Sequence, residues 1–232
     1  MMKKADLEII KEGKTGHGIL IENDGYMYIK NPKPIRESLE NGEWNVPYPF
    51  VVDAVFQKFG VKNANGRIYP EAVLKKQVEL YQEKINDRRA IGELNHPAES
   101  TIDLGRIAIN IVELHWEGRT LVGKLEINTS YGFRKYGIVG TRGDDMANLL
   151  MNGIKIGVSS RGVGSVEQKL GQYIVGDDFE LICWDVVSDP STPGAFVGAA
   201  EDLQQYVEND TTKDEKPTLN EKINKIKNIL KS

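Results

Sequence analysis

The octapeptide Gly157-Val158-Ser159-Ser160-Arg161-Gly162-Val163-Gly164 constrains this chain more than any other stretch. The apolar Ile154, Ile156 and Val158 lead into it as a strand, and three of its eight positions are glycine. Glycine lets one backbone pass close to another and adopt conformations closed to other residues. Two hydroxyls, Ser159 and Ser160, and the guanidinium of Arg161 sit among these glycines. The pattern suits a nucleophile at a strand end, with open space around it and a cation beside it. Alone, it equally suits a polar strand end before a turn, because short Gly/Ser motifs recur by chance.

Composition narrows the field. The chain has 232 residues, 40% hydrophobic and 28% charged. That is enough core for one globular domain with terminal extensions. A net charge of -4 argues against a broad basic surface, so no direct nucleic-acid partner is expected. One cysteine, Cys183, excludes an internal disulfide framework and a cysteine-rich zinc site. No apolar run approaches the roughly 20 residues of a bilayer span. Met1 to Lys14 lacks the apolar core of a signal peptide, so a reducing cytoplasm is the expected site of synthesis. Histidine chemistry must come from His17, His96 or His115.

Read in order, residues 1–45 are weakly patterned, with a short strand expected at Gly18 to Ile21, and read as a flexible extension. Phe50 to Phe56 has strand character. Asn63 to Pro70 reads as a turn built on Asn65-Gly66, with Pro70 as the first helical residue. Leu74, Val78, Tyr81 and Ile85 follow at helical spacing and predict a helix to about Asn86. Ala90 to Pro97 is a short strand ending in His96-Pro97, with Glu93 and Asn95 placed to orient or polarise the ring. Ile107 to Trp116 changes phase near Ile111-Val112, which predicts a bulge, and Leu121 to Ile127 returns as a hairpin strand. His115 faces away from Leu114 and Trp116, toward solvent.

Ser130 to Gly143 reads as a loop, with Asp144 capping a helix from Asp145 to Met151. The small Gly157 leaves room beside Ser159 for a substrate backbone. Tyr173 to Val175 and Phe179 to Val187 are strands, the second apolar on both faces and therefore buried. Asp185 is a carboxylate inside that strand and needs a charged or donating partner. A short helix is expected over residues 201–207 and a polar linker from Asn209. Thr218 and Glu221 form a capping box ahead of an amphipathic stripe, Leu219, Ile223, Ile226 and Leu230. A helix of about twelve residues is marginal alone, so it must dock, find a partner or be removed.

A serine, a histidine and a buried carboxylate are the inventory of acyl transfer. The hydroxyl needs a base to become nucleophilic at neutral pH, and the base needs a partner that fixes its tautomer. Arg161 and nearby backbone N–H groups could stabilise a developing oxyanion. Spacing leaves these residues free to converge without proving that they do.

From about Pro47 to Val197 the chain resembles the prohead core proteases of T4-like tailed phages, relatives of the herpesvirus assemblins. The resemblance is carried by Asn65-Gly66-Arg67-Ile68-Tyr69-Pro70, Gly92-Glu93-Leu94-Asn95-His96-Pro97, Gly157-Val158-Ser159-Ser160-Arg161-Gly162 and Asp185 through Pro193. It implies His96 as base, Ser159 as nucleophile and Asp185 as third member, with Asp189 as the alternative acid. Arg161, Ser160 and Gly162 fall in oxyanion or supporting positions. The implied fold is α+β, a small, mostly antiparallel β-barrel with surrounding helices and flexible terminal extensions. The expected organisation is an extension over residues 1–45, a protease domain over 46–208, and a linker with a removable helix over 209–232.

The resemblance further implies a serine endopeptidase made as a self-processing precursor inside the procapsid, which assembles in the host cytoplasm. Its expected substrates are scaffold or core proteins and the major capsid protein, and a homo-oligomer is the expected assembly. No cofactor, metal or membrane is expected. The family favours cleavage after glutamate in an Ile/Leu-X-Glu context. Ile10-Lys11-Glu12, Ile35-Arg36-Glu37 and Leu219-Asn220-Glu221 fit, so Glu12, Glu37 and Glu221 are candidate self-cleavage positions. The competing reading is a non-enzymatic capsid or tube subunit built on the same barrel. A metal-dependent hydrolase is disfavoured by the lack of paired-histidine spacing.

Overall fold

A computed structural model describes residues 16–28, 41–42, 44–97 and 99–188. Among these described residues nine strands form one mostly antiparallel sheet: β1 (Gly16–Tyr28), β2 (Phe50–Lys58), β3 (Arg67–Ile68), β4 (Ile91–Glu93), β5 (Ile107–Glu117), β6 (Thr120–Ile127), β7 (Ile156–Lys169), β8 (Gln172–Val175) and β9 (Glu180–Val187). Three helices accompany them: α1 (Glu71–Asn86), α2 (Tyr131–Tyr136) and α3 (Arg142–Met151). The fold is α+β and strand-dominated, as expected. Its strand order runs β3-β8-β7-β1-β2-β6-β5-β4, with β9 paired to β7. This is a path of paired strands rather than a continuous closed barrel. A single parallel bridge, Leu94 to Val186, links the residue after β4 to β9.

Several elements form where the sequence places them. The helix α1 occupies Glu71–Asn86, with Pro70 as its N-cap rather than its first turn. Leu74, Val78 and Tyr81 form its buried face, against β5 and β9. The β5–β6 hairpin carries its register shift between Ile111 and Glu113, at the change of phase. His115 lies on its solvent side, between Glu113 and Glu117.

Others differ, each for a local reason. The strand expected at Gly18 to Ile21 is part of β1, which pairs with β7 on one side and β2 on the other. A domain boundary at residue 45 therefore cuts through the sheet, and residues 16–28 belong to the body. The loop expected over Ser130 to Gly143 contains α2, capped by the Ser130 side chain and closed by Gly137 at φ 69°. The next helix starts at Arg142 because Thr141 and Asp144 form a reciprocal capping box. The expected helices over 201–207 and from Thr218, like the 209–217 linker, lie outside the described residues.

The octapeptide departs most. Instead of ending a strand, it lies inside β7, a strand of 14 residues that runs on to Lys169. Its glycines serve packing: a Cβ on Gly162 would stand 2.3 Å from the Phe179 ring and 2.7 Å from the Glu180 carbonyl oxygen. The ladder to β9 shifts register between Arg161 and Gly162, and both strands run on past it.

Candidate active site

Strand register builds the site. Ser159 on β7 stands directly opposite Asp185 on β9, and Arg161 opposite Cys183. Directly opposed residues project to the same side, so these four side chains share one face. Ser160 and its partner Trp184 project to the other, into the core beside Phe56 and Tyr81. Period-2 alternation thus separates the two serines completely.

The third residue arrives from β4. Gly92 allows β4 to lie against β9, because a Cβ there would stand 2.1 Å from the Trp184 carbonyl oxygen. Leu94 bridges Val186, and the Asn95 N–H donates to the Val186 carbonyl at 2.8 Å. Asn95 then turns the chain at φ 67°. His96 emerges with Nδ1 2.9 Å from Asp185 Oδ2 and Nε2 hydrogen-bonded to Ser159 Oγ. Asp185, His96 and Ser159 form one continuous hydrogen-bonded chain. The imidazole tautomer that donates to Asp185 through Nδ1–H leaves Nε2 free to accept the serine proton.

Asp185 is fully buried and well supplied with donors. Its Oδ1 accepts from the Glu93 N–H at 2.9 Å, from Arg161 Nη2 at 3.4 Å and from the Cys183 thiol at 3.3 Å. Arg161 Nε lies 2.9 Å from Oδ2 as an ion pair without hydrogen-bond alignment. Burial works to raise the Asp185 carboxyl, but the bonds from His96 and the Glu93 N–H and the charge of Arg161 outweigh it. The net direction is down, so Asp185 is ionised. Burial and the neighbouring Asp185 push the Cys183 thiol up, which keeps it a neutral donor.

The structure brings Ser159, His96 and Asp185 together. Arg161 it places behind the acid: the buried guanidinium donates to Glu93 Oε1 at 3.0 Å and to the Glu99 carbonyl at 2.6 Å. Its contacts are supporting ones, on the side of Asp185 and not at an oxyanion. Ser160 Oγ is buried with no hydrogen-bond partner among the described residues, and Gly162 packs under Phe179. Ser159 itself is 0% exposed and His96 only 12%, so the open space expected around the hydroxyl is absent. Glu93 turns to Arg161 and, through its backbone, to Asp185 rather than to the imidazole. His17 lies on β1, 3.6 Å from Asp178, away from this chain. Asp189, Glu12, Glu37 and Glu221 lie outside the described residues.

The sequence matches the family described as prohead core protein serine protease over residues 20–205, a span that contains β7, β9 and His96. The chain belongs to that family. It is 33% identical over 187 residues to the prohead core protein protease of Enterobacteria phage T4, covering 78% of this chain and 84% of that protein. The solved structure of the bacteriophage T4 capsid assembly protease superposes with a TM-score of 0.57 at 27% identity, covering 73% of this chain and 96% of the other. The match to the family begins inside β1, in keeping with the place of that strand in the sheet.

Proposed function

We propose that this prohead protease is a serine endopeptidase in which Ser159 is the nucleophile, His96 the general base and Asp185 the residue that orients and stabilises the imidazolium. The observation that carries this is the unbroken chain from the Asp185 carboxylate through both imidazole nitrogens to the Ser159 hydroxyl. In the forward step Ser159 Oγ attacks the scissile carbonyl as its proton passes to His96 Nε2. The imidazolium then gives that proton to the leaving amine, and water repeats the sequence on the acyl-enzyme. Asp185, rather than Asp189, takes the acid role because its carboxylate already bonds His96.

Its substrates on this reading are the scaffold or core proteins and the capsid precursor of the procapsid, cleaved within the particle, with several copies of the enzyme enclosed together. The complete burial of Ser159 fits a precursor whose nucleophile is covered until processing. Self-cleavage after Glu12 or Glu221 would trim the termini outside the sheet, a cut after Glu37 would break the chain between β1 and β2 while leaving β1 in its ladders, and residues 209–232 are the segment we assign as removable. The body runs from β1 to about residue 208, and the Leu94–Val186 bridge is the seam at which the sheet would close into a barrel. A fluorophosphonate probe tests the chemistry: in the self-processed chain it is expected to modify Ser159 alone, found by peptide mapping, while His96→Ala is neither processed nor labelled. Labelling of a different serine, or equal labelling of His96→Ala, would refute the assignment.

A further inference from the structure

A second set of buried charges lies directly behind Asp185. Arg161 on β7 is held between two fully buried carboxylates, with Nη2 donating to Glu93 Oε1 at 3.0 Å and Nε 2.9 Å from Asp185 Oδ2. Glu93 Oε1 also accepts from the Asp103 N–H at 2.8 Å, and its Oε2 lies 3.4 Å from Arg106 Nε at the partly exposed rim. Among the described residues the Cys183 thiol on β9 is the other titratable group in contact with the cluster; Tyr81 and Lys84 on α1 lie across β9, packed on Trp184 and bonded to the Ile182 carbonyl respectively.

Charge balance explains why two acids stand here. A guanidinium beside Asp185 competes for the attraction that Asp185 must exert on a protonated His96. With Arg161 and Asp185 alone, proton uptake at His96 would leave a buried site with a net positive charge, which is costly. Glu93 changes the count. The two fully buried carboxylates and the fully buried guanidinium carry one net negative charge, which the imidazolium brings to neutrality, while Arg106 meets Glu93 from the partly exposed rim, where solvent screens its charge.

We propose that Glu93 is a positioning residue of the reaction, offsetting the charge of Arg161 so that Asp185 acts on His96 with its full negative charge. The backbone N–H of Glu93 meanwhile fixes Asp185 Oδ1. This rests on the reading of Ser159, His96 and Asp185 as the reacting chain, and both Glu93 and Arg161 act through Asp185.

The test follows the His96 imidazole by NMR across pH in the full chain, in a Ser159→Ala background that keeps it whole, with His17 and His115 as internal references. Glu93→Gln is expected to lower the His96 titration midpoint by about one pH unit, because a negative charge beside a cation-forming group is lost. Arg161→Gln is expected to raise it by about as much, and the double variant to restore it to within a few tenths. General loosening of the site would not give opposite signs for the two partners of one ion pair. An unmoved midpoint in either single variant, or no restoration in the double, overturns the proposal. Since each single variant carries its own sign, either one decides if the other does not fold.

With Ser159 present, the low-pH limb of kcat on a Leu-Ala-Glu peptide is expected to follow these shifts while KM changes less than about twofold. A limb that stays in place also overturns the proposal. Cleavage of that peptide by the Ser159→Ala chain would instead refute the underlying serine mechanism, an outcome read separately.

Discussion

Asn95 brings His96 to Asp185 through a φ of 67°, a left-handed value that asparagine and glycine tolerate and β-branched residues do not. Asn95→Val is therefore expected to cost about 1–2 kcal/mol of stability and to lower kcat by misplacing the ring. Asn95→Gly should keep nearly wild-type stability and activity. Thermal unfolding and peptide hydrolysis on the same samples check both. At this scale the sequence is informative about identity and poor about direction. Ser159, His96 and Asp185 stand out because a hydroxyl, an imidazole and an acid in an apolar strand are costly without a use. Arg161 is equally conspicuous, yet only the β7–β9 register reveals that it serves the acid. Glu93 can be named from its distance to His96 in sequence, but its partner lies 68 residues away.

Among the elements, β1 carries an unexpected share of the architecture. Its Glu22, fully buried, pairs in register with Ser160, next to Ser159. Glu22 accepts from Arg67 Nε at 2.5 Å, from the Tyr69 hydroxyl at 2.9 Å, and from the side-chain amides of Asn63 and Asn65 at 2.7 and 2.8 Å. The Asn65-Gly66-Arg67-Ile68-Tyr69 motif is thus a clamp on β1. Removing one partner leaves a buried charge uncompensated, so Glu22→Ala is expected to cost about 3–5 kcal/mol. Differential scanning calorimetry should read this as a melting temperature lower by at least 6 °C or so; a fall within 2 °C or so would mean that β1 is held by backbone pairing alone. None of this is visible in residues 1–45 read as a string, because Glu22 looks like any surface glutamate until its partners are known. The β5–β6 phase change and the α1 stripe, by contrast, are local patterns. The continuation of β7 through its glycines depends on Phe179 packing from the turn before β9, which no local pattern records.

The whole molecule places His96, Ser159 and Asp185 on segments far apart in the chain: the turn after β4, the first part of β7 and the last residues of β9. Only complete assembly of the sheet brings them together, through the Ser159–Asp185 register and the Leu94–Val186 bridge. Composition and motifs indicate which residues are available for chemistry, whereas convergence is a property of the sheet. In the assembled sheet Ser159 is fully buried. The most direct measurement is the intact mass of the full-length chain over time beside a Ser159→Ala chain, each at the same concentration. The wild type is expected to be cut after Glu12, Glu37 or Glu221, while the variant keeps its full mass. Identical trimming of both chains would contradict the assignment of Ser159 as the nucleophile of a self-processing protease.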